Sequence, residues 1–172
     1  MQERIRGEPI VDGAVRPEWI DVNGHMNVAY YVVAFDLGVD ALFTRLGVTD
    51  EYIRSGRGTT FAVESHISWR RELKEGERYR ITADVLAYDE KRVHQFQRMY
   101  HAEEGWLAAT AEWMNLHVDL GTRRVSPWPG AVLAALEEHT RAQRSTRIPD
   151  DAGRRMAVRR PLWSLEAPAD RA

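Results

Sequence analysis

The sequence predicts an α+β domain in which one long helix covers a sheet of about five antiparallel strands, and three observations carry that prediction. Val28, Tyr31, Val32, Phe35, Val39, Leu42, Phe43 and Leu46 recur at 3, 4, 7, 11, 14, 15 and 18 residues from the first, the spacing of one helical face. From Thr59 onward the period drops to two: Tyr79, Ile81, Ala83, Val85 and Ala87 alternate with Arg78, Arg80, Thr82 and Asp84. The links between the alternating runs are short (Lys74-Glu75-Gly76, Asp89-Glu90 and Ala102 to Gly105), which suits hairpins and hence antiparallel neighbours. A sheet of that size must bury an apolar face, and the Val28–Leu46 helix is the segment available to cover it.

Pro9 to Val15 reads as the first strand, and the proline in Arg16-Pro17-Glu18-Trp19 favours an extended or turning chain after it. Asp21 through Asn27 is rich in turn formers. Asn27 stands where its side-chain oxygen can take an unpaired first-turn N–H, and Gly47 suits the helix C-terminus. Thr49 to Ser55 forms a short second helix that ends at Gly56 and Gly58. Strands follow at about Thr59–Glu72, Glu77–Tyr88, Lys91–His101 and Trp106–Asp119. The third of these alternates poorly, as a bulged strand or one at an interface would. Pro127-Trp128-Pro129 then ends the strands and opens a helix from Gly130 to Arg144. Residues 1–145 are therefore expected to form the domain, with 146–172 as an extension that packs on it or is partly disordered. Arg141 to Arg160 holds seven arginines against two acids, which reads as a solvated tail or packing strap in preference to a phosphate site. The second sheet face, with Trp106, Trp113 and Met114 nearby, has no further long helix to shield it, so dimerisation through the sheet is expected.

Composition narrows the function. A chain of 172 residues suits one domain, and 44% hydrophobic with 29% charged residues is an ordinary globular balance. The 24 basic and 26 acidic residues leave a charge of −2, so no nucleic-acid partner is expected. The absence of cysteine excludes a disulfide scaffold, a thiol nucleophile and Cys-ligated metals. Met1 to Gly7 has no apolar run, and Val28 to Phe35 is far shorter than the ~20 residues of a membrane span. A soluble, cytoplasmic protein with no membrane partner is the default expectation. His94 and His101, seven apart on one strand, fall on opposite faces and do not suit a shared metal; His66 and His117 read as structural. No Gly-x-Ser-x-Gly elbow, phosphate loop or dinucleotide fingerprint supports a serine hydrolase, a nucleotide-driven enzyme or a dehydrogenase.

Asp21-Val22-Asn23-Gly24-His25-Met26-Asn27 concentrates a carboxylate, an imidazole and two carboxamides just before the strongest helix. A helix N-terminus offers unpaired N–H donors and a positive dipole end, suited to a polarised carbonyl or an oxyanion. A carboxylate beside it can activate water or attack directly. The plain alternative is a turn built by Asp21 and Asn23 with an Asn27 cap and no chemistry.

Trp19-Ile20-Asp21, Gly24-His25-Met26-Asn27 and Ala29-Tyr30-Tyr31 together resemble the signature of hotdog-fold acyl thioesterases related to 4-hydroxybenzoyl-CoA thioesterase. The likeness runs over roughly residues 9–160. It continues through Glu64-Ser65-His66-Ile67, Trp69-Arg70-Arg71-Glu72-Leu73 with Gly76, Lys91-Arg92-Val93-His94, Ala109-Thr110-Ala111-Glu112 and Gly153-Arg154-Arg155. Within that family it is nearest to the thioesterases that accompany or are fused to L-carnitine dehydrogenase and act on betainyl-CoA. The Asp21-x-Asn23-x-His25 spacing is also similar to that of plant acyl-carrier-protein thioesterases, which add a glutamate after two arginines, here Glu72. A cysteine follows that glutamate in those enzymes; this chain has Leu73.

The resemblance implies a curved sheet wrapped around the long helix, and hydrolysis of a small acyl-CoA. Asp21 would be nucleophile or base, with Asn23 and His25 orienting water and substrate. Glu72 would be a second carboxylate, with Glu64 its rival. Asn27, Arg71 and Arg92 would bind substrate; from the residues themselves, the pairs Arg70-Arg71 and Lys91-Arg92 offer cations for the coenzyme A phosphates, although paired surface cations usually only solubilise. No metal or separate cofactor is implied; coenzyme A enters only as part of the substrate. A homodimer, or a dimer of dimers, would place sites between subunits, with Asp21 and Glu72 facing one another across the interface. A trimethylammonium acyl group would be held by aromatic faces. Trp106 is one candidate and Trp69 another, although strand alternation puts Trp69 opposite Glu72. Two other functions share the fold: a non-catalytic acyl-CoA sensor and a hydratase or dehydratase.

Overall fold

The computed structural model describes residues 5–143, 149–150 and 152–154. Strand β1 (Pro9–Ala14) leads through a single 3-10 turn (Pro17–Trp19) to helix α1 (Val28–Arg45) and the short helix α2 (Asp50–Arg54). Strands β2 (Thr59–Trp69), β3 (Arg78–Tyr88), β4 (Arg92–His101) and β5 (Leu107–Asp119) follow, then the two-residue β6 (Arg124–Val125) and helix α3 (Gly130–Gln143). The strands form one antiparallel sheet in the order β1-β3-β4-β5-β2, with β6 paired to the outer part of β5. This is the expected α+β hotdog arrangement, a curled sheet around α1. Strand β6 was not expected. It forms because Asp119 accepts the Thr122 N–H and hydroxyl, and Arg123 takes a left-handed φ of 59° that closes the turn.

Helix α1 buries the face read from its spacing. Tyr31, Ala34, Phe35, Val39, Leu42 and Phe43 are inside, packed with Ile81, Val93, Met99, Ala109, Ala111 and Trp113 from the sheet. At Gly38 the helix comes so close to β4 that an added Cβ would lie 2.3 Å from the Gln97 side-chain oxygen, so only glycine fits without a shift. Trp113 therefore belongs to the helix-covered core and not to the second sheet face. The Gly130–Gln143 helix adds Val132 and Leu136 to that core, and Trp128 before it stacks on Phe43 at 5.5 Å.

The poor alternation of β4 follows from its place in the sheet. It is the central strand, and Val93 and Gln95 to His101 are buried on both faces, so no polar side remains to mark the period. A register shift does lie at Met99/Tyr100. Part of its buried polar set is paired along the strands: Gln97 donates to Gln95 at 3.0 Å, Gln95 to Asn115 at 2.9 Å, and Arg98 meets Asp84, while Gln97 Oε1 and Asn115 Nδ2 have no partner among the described residues.

The expected hairpin between β2 and β3 is absent. Strand β2 stops at Trp69, where the N–H groups of Arg70 and Arg71 both turn to the Ala108 carbonyl, and it pairs with β5 at the far edge. Residues 70–77 then cross the sheet to reach β3. Three strand spacings are about 14 Å, well within the reach of an eight-residue segment. Extending β2 to Glu72 made this link look like a tight turn.

The 145/146 boundary, and Arg144, Arg147, Arg155, Arg159 and Arg160, lie outside the described residues. Of the extension, Gly153 donates its N–H to Glu112 at 2.8 Å on the outer sheet face, and Pro149 is buried. Among the described residues no helix is long and apolar enough to cross a membrane.

Candidate active site

The loop before α1 is a closed local structure. Asp21 donates its N–H to the His25 carbonyl and accepts the Gly24 N–H on its own carbonyl, both at 3.0 Å. Its side-chain Oδ1 takes the Asn23 N–H at 2.8 Å, an Asx turn, and Gly24 supplies the φ of +80° that the reversal requires. Asn27 donates its N–H to the Trp19 carbonyl, and an isolated bridge pairs Ile20 with Met26. The loop thereby presents Asp21 and His25 at the start of the helix.

Asn27 is the N-cap, its Oδ1 accepting the Ala29 N–H at 3.0 Å while its carbonyl takes the Tyr30 N–H. The Val28 amide, in the first turn, makes no hydrogen bond to the described residues. A free N–H at a helix N-terminus is a donor for an incoming carbonyl oxygen.

The crossing segment 70–77 adds the second carboxylate. His25 Nδ1 lies 3.8 Å from Asp21 Oδ1, and His25 Nε2 lies 4.0 Å from Glu72 Oε2. The imidazole thus stands between two carboxylates of the same chain, and Asp21 and Glu72 meet through it without a second subunit. Both separations are longer than hydrogen bonds, and the nearest acceptor of His25 Nδ1 is the Met26 carbonyl at 3.4 Å. The side chains are 19% exposed at Asp21, 30% at His25 and 55% at Glu72, so the group is open to a substrate from the Glu72 side. Glu72 lies beyond the end of β2, and strand alternation therefore does not set Trp69 opposite to it.

Arg71 stacks its guanidinium over Trp106 at 4.1 Å and forms no ion pair among the described residues. Trp106 also stacks on His101 at 4.8 Å and donates its indole N–H to Glu104, which leaves its ring already in use. Trp69, at the end of β2, is 48% exposed.

The other two candidates lie elsewhere. Glu64 is in register with Met114 on the sheet face turned away from α1, where it lines a cleft with His66, His94, Glu112 and Arg154. There His94 and Glu112 pair at 2.6 Å. Arg92 opens β4, nine residues before His101 and so about 30 Å along the strand from the end near the Asp21 loop. It is held by Asp89 at 2.6–2.7 Å, and that hydrogen bond with Arg92, more than any other contact, draws the exposed Asp89 carboxyl down to about 2. The structure thus brings Asp21, Asn23, His25, Asn27 and Glu72 together and leaves Glu64 and Arg92 apart.

Two residues that shape the site, Tyr31 and Leu73, stand in the quoted motifs but were given no role in it from sequence. Tyr31 accepts the Leu73 N–H on its hydroxyl at 3.0 Å, and the Leu73 carbonyl accepts the Met26 N–H at 2.7 Å. The only sequence signal was a tyrosine on the buried face of α1, since a buried phenol needs a partner.

Known proteins similar to this chain identify its family. A family model described as Thioesterase-like superfamily matches residues 15–136. The chain is 35% identical over 140 residues to a betainyl-CoA thioesterase of Pseudomonas aeruginosa, covering 81% of this chain and 88% of that one. It is 37% identical over 151 residues to an L-carnitine dehydrogenase/betainyl-CoA thioesterase of Rhizobium meliloti, covering 88% of this chain and 30% of that protein. Among solved structures, a Staphylococcus aureus protein in complex with CoA superposes with a TM-score of 0.82 at 26% identity, covering 91% of this chain and 99% of that one. A putative thioesterase from Pseudomonas putida gives 0.78 at 27% identity, covering 90% and 98%. With the family model spanning α1 and strands β2 to β6, the chain belongs to the Thioesterase-like superfamily and is a hotdog-fold thioester hydrolase.

Proposed function

We propose that the chain hydrolyses a small acyl-CoA, betainyl-CoA foremost, with Asp21 as the general base. The observation that carries this reading is the Asp21–His25–Glu72 group at the open N-terminus of α1. Asp21 takes a proton from water as the water oxygen adds to the thioester carbon. The carbonyl oxygen becomes an oxyanion, stabilised by the free Val28 N–H and the helix dipole. The oxyanion then collapses and the C–S bond breaks; the thiolate of coenzyme A takes the proton held by Asp21, which restores the carboxylate, and a free carboxylic acid is the second product. Asp21 Oδ1 is occupied by the Asn23 N–H, which leaves Oδ2 for the proton. His25 holds the two carboxylates in register, and Asn27 keeps the helix end open to the carbonyl. Water is the only co-reactant, and no metal or redox cofactor takes part.

Betainyl-CoA leads the substrate choice because two relatives carry that name. Trp69 offers the exposed aromatic face for its trimethylammonium group. Arg71, held flat by Trp106, is the cation for the coenzyme A phosphates.

The active form is a homodimer joined along β2. This strand is an open sheet edge with Phe61, Val63 and Trp69 exposed, and the outer side of α1 adds Val32, Val33 and Leu37. Antiparallel pairing of β2 with its copy lays the Phe61 end of one chain, beside which Leu116 and Arg92 lie in register, against the Trp69 end of the other. Light scattering is expected to report twice the monomer mass, and Val63→Lys to produce monomer with most activity lost. A fully active wild-type monomer would refute the dimer as the active form.

The function itself is tested by thiol release from betainyl, short straight-chain, long-chain and aromatic CoA thioesters. Preference for betainyl-CoA supports the full reading. Preference for another acyl group keeps the hydrolase and removes the substrate. Binding without thiol release would indicate a sensor, and turnover of an enoyl-CoA without thiol release a hydratase.

A further inference from the structure

Glu72 sits in no strand, and its side chain is half in solvent. Some other contact must keep it 4.0 Å from His25. That contact runs through its neighbour. Leu73 is fully buried, and both of its backbone polar groups are bonded: the N–H to the Tyr31 hydroxyl and the carbonyl to the Met26 N–H. Glu72 immediately precedes Leu73, and His25 immediately precedes Met26. The two side chains that meet are therefore each one residue from a single backbone clamp.

Tyr31 supplies the half of that clamp made by a side chain. It lies one turn into α1, the helix whose N-terminus frames the site, and its ring is 2% exposed. Burial above all pushes its hydroxyl pKa up, with Glu72 and Glu77 adding to the rise against the opposing Leu73 bond. It stays a neutral phenol at working pH. Without the hydroxyl, the Leu73 N–H would be left in an apolar interior with no acceptor, and the segment would have to shift to satisfy it.

We propose that Tyr31 is a positioning residue for hydrolysis: through the Leu73 N–H, its hydroxyl sets the Glu72 carboxylate against His25. The inference rests on the reading of Asp21, His25 and Glu72 as the hydrolytic centre, and it adds a residue that touches neither water nor substrate.

The test is a double-mutant cycle of Tyr31→Phe and Glu72→Gln, with kcat and KM measured on the preferred acyl-CoA at a temperature well below each melting point. Glu72→Gln is expected to lower kcat by about 10²-fold, the low end for a positioned carboxylate. Tyr31→Phe should lower kcat by about 10-fold with KM within about 2-fold, since small displacements of a catalytic group cost rate more than binding. The double variant should be no slower than Glu72→Gln alone, because the hydroxyl then has nothing to position. Tyr30→Phe, which changes the neighbouring phenol, should match the wild type. Losses that multiply in the double variant would overturn the role of Tyr31 and leave the hydrolytic centre standing. Full activity in Glu72→Gln would overturn the reading of Glu72, and the proposal with it.

Discussion

Asp21→Asn is expected to fold normally and to release thiol about 10²–10⁴-fold more slowly than the wild type, the range for loss of a positioned acid or base. The substitution is nearly isosteric. An asparagine oxygen still accepts the Asn23 N–H that Asp21 accepts at 2.8 Å, so the turn that presents the loop persists. What disappears is the capacity to take a proton from water and the negative charge beside His25. The measurement is kcat on the best acyl-CoA, with circular dichroism and a melting curve to verify the fold. Wild-type turnover in a folded Asp21→Asn protein would remove Asp21 from the mechanism.

The largest loss of stability is expected from Phe35→Ala. Phe35 is fully buried in the core that joins the middle of α1 to the sheet. Truncation of a buried phenylalanine removes its transfer free energy and leaves a cavity, at a cost of about 3–5 kcal/mol. For a domain of this size that lowers the melting temperature by about 6–20 °C. Calorimetry or urea unfolding measures it, and a loss below about 1 kcal/mol would mean that α1 is not seated on the sheet at this point. The rest of the site depends on that seat, because α1 carries both the Asn27 cap and the Tyr31 clamp.

The parts of this fold that are legible in the sequence are the local ones. The Val28–Leu46 spacing, the Asn27 cap and the strand pairs joined by true hairpins were legible because each depends on residues a few positions apart. So was the Asp21–Asn27 cluster, whose turn is held by bonds within five residues. The character of β4 was not legible: a central strand buried on both faces loses the alternation that marks a strand. Trp113 was misplaced for a related reason, since a period of two tells which residues share a face but not which face the helix covers.

By itself, then, the sequence determined the helix, the strands and the acid–imidazole–amide loop that precedes α1. The tertiary structure decided which second carboxylate joins that loop. Glu64 and Glu72 stand eight residues apart and looked equivalent along the chain, but strand order separates them. With β2 at the far edge beside β5, the following segment must pass under the start of α1, and that passage brings Glu72 to His25 and leaves Glu64 on the opposite face of the sheet. The same order places Arg92 at the other end of its strand. Strand order is a long-range choice, set by how the whole apolar surface is buried at once, and no local spacing encodes it.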